Sequence, residues 1–370
     1  MTFRFLRPDI SKVWENKEIS NRFSWYRSIM DGKKIARYLI AKSIKCDFNA
    51  DNSLGELQEL LKNKSNEFQR LMDLETENLQ NRDVQKVSYL NLVIHLAKRY
   101  LKHCILCERR CGINRLLGEK GVCLLTQDAY VSSAFLHWGE ESVLVPSGTI
   151  FFQSCNFECV FCQNYDISQS WKNKRKLDEI ARKVNPKDLA NIAKDLGKKG
   201  ALNINYVGGD PIPNLYTILR SLLFQDDNIC QLWNSNFYMT EESLALILHL
   251  IDFWLPDFKY GNNKCARKLS GIDNYYDILT RNLKIIHDIG SGEIIIRHLV
   301  MPNHVECCSK PILDFIAKEI PKAFVNIMGQ YRPVFKASNF PEINRRPTSD
   351  EMTLVQNYAN QLEILWKPVS

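Results

Sequence analysis

Seven of the twelve cysteines in this 370-residue chain fall into two tight groups whose spacing is typical of metal binding. The first group is Cys104, Cys107, Cys111 and Cys123, and the second is Cys155, Cys159 and Cys162. The N-terminus has no apolar segment of the kind found in export signals, so we expect a reducing, cytoplasmic environment. Clustered thiols in such an environment indicate metal or redox chemistry rather than a disulfide framework.

The second group has the spacing C-x3-C-x2-C and directly follows an apolar run, Thr149–Gln153, that is predicted to be a strand. Three thiolates in one loop can hold three irons of a 4Fe–4S cube, which leaves the fourth iron without a protein ligand. A substrate or cofactor can then bind that iron directly. The alternative is a zinc knuckle that borrows a fourth ligand from elsewhere.

The first group offers four thiolates with x2 and x3 spacing, which is enough to complete a tetrahedral shell. Structural zinc is the preferred interpretation, and a mononuclear iron site or an auxiliary 4Fe–4S cluster remains open. The other five cysteines are scattered and are expected to be small buried hydrophobic residues or inert thiols. They are Cys46, Cys230, Cys265, Cys307 and Cys308.

The elements that must position these thiols alternate between short apolar runs and amphipathic helices after Gly148. The predicted strands are Thr149–Gln153, Leu202–Val207, Ile229–Ser235, Phe253–Phe258, Glu293–Leu299 and Phe324–Gln330. Such alternation favours parallel strands with right-handed crossovers. Six strands are too few for a closed eight-stranded barrel, so we predict an α/β fold with an open, partial (β/α)6 barrel. Its chemistry should lie at the C-terminal ends of the strands.

Three regions are expected along the chain. Residues 1–103 should be helical, residues 104–147 should form a small metal-binding segment with four cysteine ligands, and residues 148–370 should form the barrel with a C-terminal helix. No apolar run approaches the ~18 residues that a membrane span requires, so we expect no membrane association.

Residues 1–45 carry eleven Lys and Arg against four Asp and Glu, a difference of +7 that equals the net charge of the whole chain. This basic arm also contains seven aromatic residues: Phe3, Phe5, Trp14, Phe23, Trp25, Tyr26 and Tyr38. Basic residues interleaved with aromatic ones are suited to binding RNA or an acidic protein surface. The alternative is a helical layer with solvated Lys and Arg over a packed aromatic face.

The cysteine loop resembles the radical SAM superfamily motif C-x3-C-x-aromatic-C, in which Phe161 supplies the aromatic residue. Within that superfamily the chain is most similar to the group named after pyruvate formate-lyase activating enzymes, the PflX-like branch. Further segments carry this similarity, and they are residues 104–115, 121–123, 162–164, 257–259, 297–302 and 326–333.

The resemblance implies that S-adenosylmethionine (SAM) binds the fourth iron through its amino and carboxylate groups. One electron from the reduced cluster then cleaves the cofactor to methionine and a 5′-deoxyadenosyl radical, which abstracts hydrogen from a C–H bond. The resemblance also implies a low-potential flavodoxin or ferredoxin as the electron donor. The protein binds and orients the cofactors and shields them from water, because the cofactors carry the difficult chemistry.

Polar residues at four predicted strand ends are the candidates for binding SAM. Gly208, Gly209 and Asp210 follow the second strand, where glycines let the backbone approach a ligand closely, and they resemble the family's Gly-Gly-Glu motif. The family often places an Asn or Asp near the ribose at the end of the third strand, and the segment Asn234-Ser235-Asn236 resembles this feature, with Asn236 as the candidate contact.

Asp257 and Lys259 lie two residues apart on the fourth predicted strand and therefore point to the same face. The resemblance implies that Lys259 contacts the SAM carboxylate and that Asp257 orders that end of the pocket, whereas a structural ion pair is the alternative. Arg297 lies in an apolar run, where a guanidinium requires an anion. We assign it to the SAM carboxylate or ribose, with a salt bridge inside the barrel wall as the alternative.

Three hypotheses about function follow. The first is a radical SAM enzyme that acts on a protein or peptide, as a glycyl-radical activating enzyme does. The second keeps the radical chemistry but takes RNA as substrate, bound through the basic arm at residues 1–45. The third is a non-catalytic binding module in which both cysteine groups hold zinc.

Overall fold

The computed structural model describes residues 7–73, 84–169, 171–172, 176–290, 292–367 and 369. Phe3 and Phe5 lie outside these residues. The strands are β1 (Ala129–His137), β2 (Ser147–Phe152), β3 (Arg182–Val184), β4 (Asn203–Gly208), β5 (Cys230–Ser235), β6 (Phe253–Pro256), β7 (Glu293–Leu299) and β8 (Phe324–Met328).

These strands form one open, eight-stranded sheet in the order β3-β1-β2-β4-β5-β6-β7-β8. The run from β2 through β4 to β8 is parallel throughout. All six predicted strands are therefore present, and the fold is the expected α/β partial barrel.

The sequence did not predict β1 and β3, which extend the sheet beyond β2: β1 pairs antiparallel with β2, and β3 pairs antiparallel with β1. β3 is only three residues long and two of them are exposed, so it has no apolar signature. β1 ends the cysteine-rich segment, and residues 104–147 are consequently joined to the barrel through the sheet itself.

Helices surround the sheet and fill most of the chain before it. In chain order they are α1 (Asp9–Lys12), α2 (Lys17–Arg22), α3 (Ser24–Met30), α4 (Arg37–Ser43), α5 (Leu54–Asp73), α6 (Tyr89–Lys102), α7 (Tyr165–Ser168), α8 (Pro186–Lys198), α9 (Leu215–Ser221), α10 (Glu241–Ile247), α11 (Asn263–Ser270), α12 (Tyr275–Ile289), α13 (Lys310–Glu319) and α14 (Ser349–Gln361). Caps set several boundaries: α8 begins where the Asn185 side chain accepts from the Asp188 N–H, and α10 begins at the Thr240 cap.

The N-terminal helices cover the end of the barrel at which the strands begin. The Phe23 ring lies 5.1 Å from the ring of Phe253 and 5.0 Å from that of Phe324, the first residues of β6 and β8. The backbone N–H of Trp25 donates to Glu293, the first residue of β7, over 2.8 Å. This layer therefore closes the face of the barrel opposite to the strand ends where chemistry is expected.

The interpretation of the basic arm as an aromatic RNA-binding surface is wrong in its aromatic part. Phe23, Tyr26 and Tyr38 are buried, and Trp14 and Trp25 are partly buried against the same core. Rings packed in a core cannot stack on bases. The alternative of a packed aromatic face is confirmed. Its basic side chains are not all solvated, however, because Arg37 and Lys42 are buried.

Among the described residues, none of the helices is both long enough and apolar enough to cross a membrane.

Candidate active site

The cysteine loop begins directly after β2 and is fixed by backbone hydrogen bonds to three elements. Ser154, at its start, has a φ of 80°, donates from its N–H to Ile167 and accepts from the Asp210 N–H. Farther along, the Val160 N–H donates to the Leu269 carbonyl over 2.9 Å. The loop is therefore held in place at the C-terminal end of the strands, as predicted.

Each thiol in the loop has a hydrogen-bond partner from the protein. The Cys155 sulfur accepts from the Phe157 N–H at 3.3 Å, and the Cys159 sulfur accepts from Ser270 Oγ at 2.9 Å. Cys162 Sγ lies 3.2 Å from Ser168 Oγ. Ser270 and Ser168 were missed by sequence reasoning, because nothing in the sequence indicates that a given serine faces a sulfur.

The donor set fits an iron–sulfur cluster. Cys155 and Cys159 are buried, Cys162 is partly buried, and burial raises the pKa of Cys159 to about 12. The three thiols also disfavour one another's ionisation, so three thiolates here require positive charge from a bound metal group. The three sulfurs do not all lie within 4.8 Å of one another, whereas the sulfurs of four thiolates around one zinc ion would be roughly 3.8 Å apart.

A single pocket of about 220 Å³ brings together the loop thiols and every residue predicted to contact SAM. Its lining includes Cys155, Cys159, Cys162, Gly208, Gly209, Asp210, Asn236, Asp257, Lys259 and Arg297. These residues come from the ends of β2, β4, β5, β6 and β7 and the loops that follow them. The pocket is concave and contains a few charged groups among apolar ones, which is typical of a small-molecule site.

Lys259 and Asp257 form an ion pair on the pocket wall, with Nζ and Oδ2 separated by 2.6 Å. Burial alone would lower the pKa of Lys259, but Asp257 raises it above its usual value, so the ammonium stays charged. Tyr275 supports the pair from behind: its hydroxyl donates to the Asp257 carbonyl and accepts from the Lys259 N–H. The structural ion pair considered for these residues is therefore present, and it faces the pocket.

The carboxylate of Asp210 is hydrogen-bonded to groups of the protein itself. It accepts from the N–H groups of Ile212 and Asn236 at 2.9 Å and from Ser235 Oγ at 3.3 Å. Burial raises the pKa of Asp210 to about 7. The Asn236 amide donates to Asn156 over 2.7 Å and lies 3.7 Å from the Cys155 sulfur. Both residues therefore hold the cysteine loop against β4 and β5.

Gly208 and Gly209 are required by the protein's own backbone. Gly208 has a φ of 127°, and a β-carbon on it would lie 2.2 Å from backbone atoms of Phe152. A β-carbon on Gly209 would lie 1.9 Å from the Ser154 carbonyl oxygen. The close approach predicted for these glycines is thus made to the cysteine loop rather than to a ligand alone.

Arg297 forms the salt bridge that was considered as its alternative role. Its Nε and Nη2 bind the Glu141 carboxylate in a bidentate pair of 2.8 and 2.7 Å, and Nη2 also contacts Glu140. Burial opposes ionisation of Glu141, but Arg297 holds the pKa of that carboxyl below its usual value. Arg297 still lines the pocket, and no described residue accepts a hydrogen bond from its Nη1.

Asn234 also lines the pocket, in the strand-end segment that the resemblance places near the ribose. It is the penultimate residue of β5 and only 4% exposed, and its Nδ2 has no hydrogen-bond partner among the described residues. A buried, unpaired donor is costly unless a ligand or water accepts from it.

The four thiols of the first cysteine group face a second, smaller cavity beside the loop. Cys104, Cys107, Cys111 and Cys123 line it together with Asn156. Lys172 Nζ donates to the carbonyls of both Val122 and Cys155, at 3.1 and 3.2 Å, and so connects the two cysteine sites. No three of the four sulfurs lie within 4.8 Å of one another.

Comparison with known proteins agrees with this geometry. The family model of the radical SAM superfamily matches residues 149–316. The uncharacterized protein MJ0674 of Methanocaldococcus jannaschii is 44% identical over 329 residues, which are 89% of this chain and 94% of the relative. MJ0808 of the same organism is 22% identical over 254 residues, 65% of this chain and 71% of the relative.

Solved structures with a similar fold include a radical SAM methyltransferase from Sphaerobacter thermophilus, at 12% identity and a TM-score of 0.44, covering 86% of this chain and 93% of that one. Streptococcus suis SuiB matches at 16% identity and a TM-score of 0.40, covering 58% of this chain. The match spans 46% of the SuiB chain, less than half of its length. With the family-model match and the three-cysteine loop at the strand ends, residues 149–316 of the chain are a radical SAM superfamily domain.

Proposed function

We propose that the chain cleaves SAM reductively at a 4Fe–4S cluster held by Cys155, Cys159 and Cys162, and directs the resulting radical at a C–H bond of a protein or peptide. The observation that carries this proposal is the shared pocket, which contains the three thiols together with Lys259 and Arg297. When bound, the cluster and SAM supply a 5′-deoxyadenosyl radical for hydrogen abstraction.

The residues of the chain bind and orient the cofactors. The three thiols hold the cluster in the loop that follows β2. The protein groups that donate hydrogen bonds to their sulfurs stabilise the thiolate form. Lys259 supplies a permanent positive charge for the SAM carboxylate, and Tyr275 fixes the backbone that carries it. The buried Nδ2 of Asn234 offers a hydrogen bond to the nucleoside.

Arg297 acts as a positioning residue in this proposal. Its bidentate pair with Glu141 ties β7 to the segment before β2, and Asn326 on β8 donates to the same carboxylate over 2.8 Å. This network keeps the pocket wall rigid. The free Nη1 is available to an anion in the pocket.

The protein or peptide substrate is inferred from the similarity to activating enzymes, which rests on segments such as residues 104–115 and 326–333. The PflX-like assignment itself remains a prediction from those motifs. RNA is the weaker candidate because the aromatic residues of the basic arm are packed in the core. A purely zinc-binding module would leave the charged pocket unexplained.

The test is anaerobic reconstitution with iron and sulfide, followed by SAM and dithionite, with 5′-deoxyadenosine measured by mass spectrometry. We expect the wild-type protein to form it and Cys159→Ala to form less than about 1% as much, because the cube loses a ligand. Cys46→Ala removes a buried cysteine outside both groups and serves as the matched control. Equal product from Cys159→Ala and the control would refute the proposal.

We further infer that the first cysteine group holds an auxiliary iron–sulfur cluster rather than the zinc ion preferred from sequence. Its four sulfurs line one cavity, and no three of them lie within 4.8 Å of one another, an arrangement that favours the wider cluster over a single tetrahedral ion.

Metal analysis of Cys111→Ala separates these two cases. Iron should fall from about eight to about four per chain, with zinc unchanged, because one of two cubes is lost. A loss of one zinc with iron unchanged would show that the site binds zinc.

A further inference from the structure

Cys265 and the adjacent pair Cys307 and Cys308, which begins 42 residues farther along the chain, come together where the loop after β6 meets the turn after β7. Cys265 lies in the first turn of α11, and Cys307 and Cys308 lie in a short π-helical turn, Val305–Ser309, that precedes α13. The Sγ atoms of Cys265 and Cys307 are 3.9 Å apart, and those of Cys307 and Cys308 are also 3.9 Å apart. These three cysteines, expected from sequence to be small buried hydrophobic residues or inert thiols, therefore form a cluster, and Cys307 is exposed.

The spacing of these sulfurs distinguishes them from the other two groups. Within the part of the chain that the structure describes, they are the only three metal-binding side chains whose ligand atoms all lie within 4.8 Å of one another. Tetrahedral zinc with Zn–S bonds of about 2.3 Å places its sulfurs roughly 3.8 Å apart. The observed distances match that edge and are far longer than the roughly 2.05 Å of a disulfide bond.

The imidazole of His304 is the candidate for a fourth ligand, although its nitrogens do not lie within 4.8 Å of all three sulfurs. The ring lies near Cys265, where its charge acts on the thiol. Nδ1 of His304 lies 2.8 Å from the Pro302 carbonyl oxygen, which leaves Nε2 as the nitrogen without a backbone partner. A backbone carbonyl on one ring nitrogen is the usual way in which proteins orient a histidine that binds metal through the other.

The surrounding backbone is held for such a site. The Asn262 side chain caps Cys265, accepting from its N–H at 2.8 Å, and donates to the Cys307 carbonyl at 2.6 Å. Gly261 packs so closely that a β-carbon there would lie 2.4 Å from the Cys308 carbonyl oxygen. The loop after β6 and the turn after β7 are therefore in direct contact at the cysteines.

We propose that Cys265, Cys307, Cys308 and His304 bind a structural zinc ion. The ion would join the loop that follows Lys259 to the turn that follows β7, and so hold two walls of the pocket together from outside. The site shares no residue with the lining of that pocket, so the proposal stands independently of the proposed catalytic function.

The direct test is zinc content per chain after anaerobic purification and dialysis against a weak chelator. Wild-type protein should contain one more zinc than Cys307→Ser, with equal iron. Cys307 is exposed, so its replacement should leave the fold intact. Cys230→Ser, a change at a buried cysteine outside all three groups, should keep the zinc. Equal zinc in wild type and Cys307→Ser would overturn the proposal.

A second measurement uses the wild-type protein alone and does not depend on any variant. Alkylation of Cys307 by iodoacetamide, followed by mass spectrometry, should be at least tenfold slower in the zinc-loaded protein than after removal of zinc with a strong chelator. An unchanged rate, or a disulfide among these cysteines in anaerobically prepared protein, would contradict a zinc site.

Discussion

Asp210 shows how a single residue can shape the pocket through hydrogen bonds to the protein itself. The family pattern has a glutamate at this point, and the shorter aspartate here reaches the backbone of the next strand, where it accepts hydrogen bonds from Asn236 and Ile212. Its carboxylate is buried near the thiol of Cys155, whose ionisation it disfavours. We therefore regard it as a residue that positions the loop.

The raised pKa of Asp210 predicts a pH-dependent stability. The folded protein keeps this proton up to about pH 7, whereas the unfolded chain loses it near pH 4. The contribution of the group to the free energy of unfolding is therefore complete below pH 4 and is lost as pH rises to 7, by up to about 4 kcal/mol.

Asp210→Asn should remove that dependence. Urea unfolding should be measured for both proteins at pH 4.5, 5.5, 6.5 and 7.5. The free energy of unfolding of the variant should rise relative to that of the wild type across this range, whether the variant is more or less stable at the lowest pH. A constant difference between the two proteins at every pH would show that Asp210 ionises normally.

At the scale of elements, the positions of the strand ends could be predicted from sequence, and these ends determine where the site lies. Cysteine spacing located the loop, and alternation of apolar runs with helices located six strands, because both signals are local in the chain. The partners of Arg297 could not be read in this way. Glu140 and Glu141 lie more than 150 residues away, in a segment that β1 attaches to the sheet, and β1 itself was not predicted.

The contact between β4 and the cysteine loop gives an element-level prediction. Gly209→Ala places a methyl group 1.9 Å from the Ser154 carbonyl oxygen, which is backbone and cannot rotate away. The loop must shift, so we expect the iron bound after reconstitution to fall at least twofold and the free energy of unfolding to fall by about 3 kcal/mol.

Gly197→Ala is the matched control, because a β-carbon there meets only Ile229 at an ordinary 3.6 Å within α8. That change should leave iron binding unaltered and stabilise the helix by up to about 1 kcal/mol. Normal iron binding by Gly209→Ala, measured against this control, would mean that the loop tolerates the displacement.

At the scale of the whole molecule, one end of the barrel carries the chemistry and the other is closed by the N-terminal helices. Composition alone suggested a basic arm available to a partner, because it cannot tell which face of a short helix is buried. The aromatic residues of that arm contact the first residues of β6, β7 and β8, so the arm is a structural part of the barrel.

Replacing Phe23 tests this role. Phe23 is 1% exposed and packs on Phe253 and Phe324, so Phe23→Ala should lower the free energy of unfolding by about 3–5 kcal/mol. Denaturant unfolding of the iron-loaded protein measures it, with exposed Leu354→Ala in α14 as the control. A loss below about 1 kcal/mol would mean that the arm is not integrated into the core.

The most direct test of the central claim is electron paramagnetic resonance of the dithionite-reduced protein, recorded with and without SAM. The three-thiol loop beside the charged pocket predicts a reduced 4Fe–4S signal whose g values shift on adding SAM, because SAM binds the iron that no cysteine occupies. Lys259→Gln should require at least tenfold more SAM for the same shift. Cys111→Ala should remove any signal from the first cysteine group, so that the signal that remains comes from the Cys155 loop. The account would be contradicted if no cubane signal is seen, or if SAM leaves the signal of that loop unchanged.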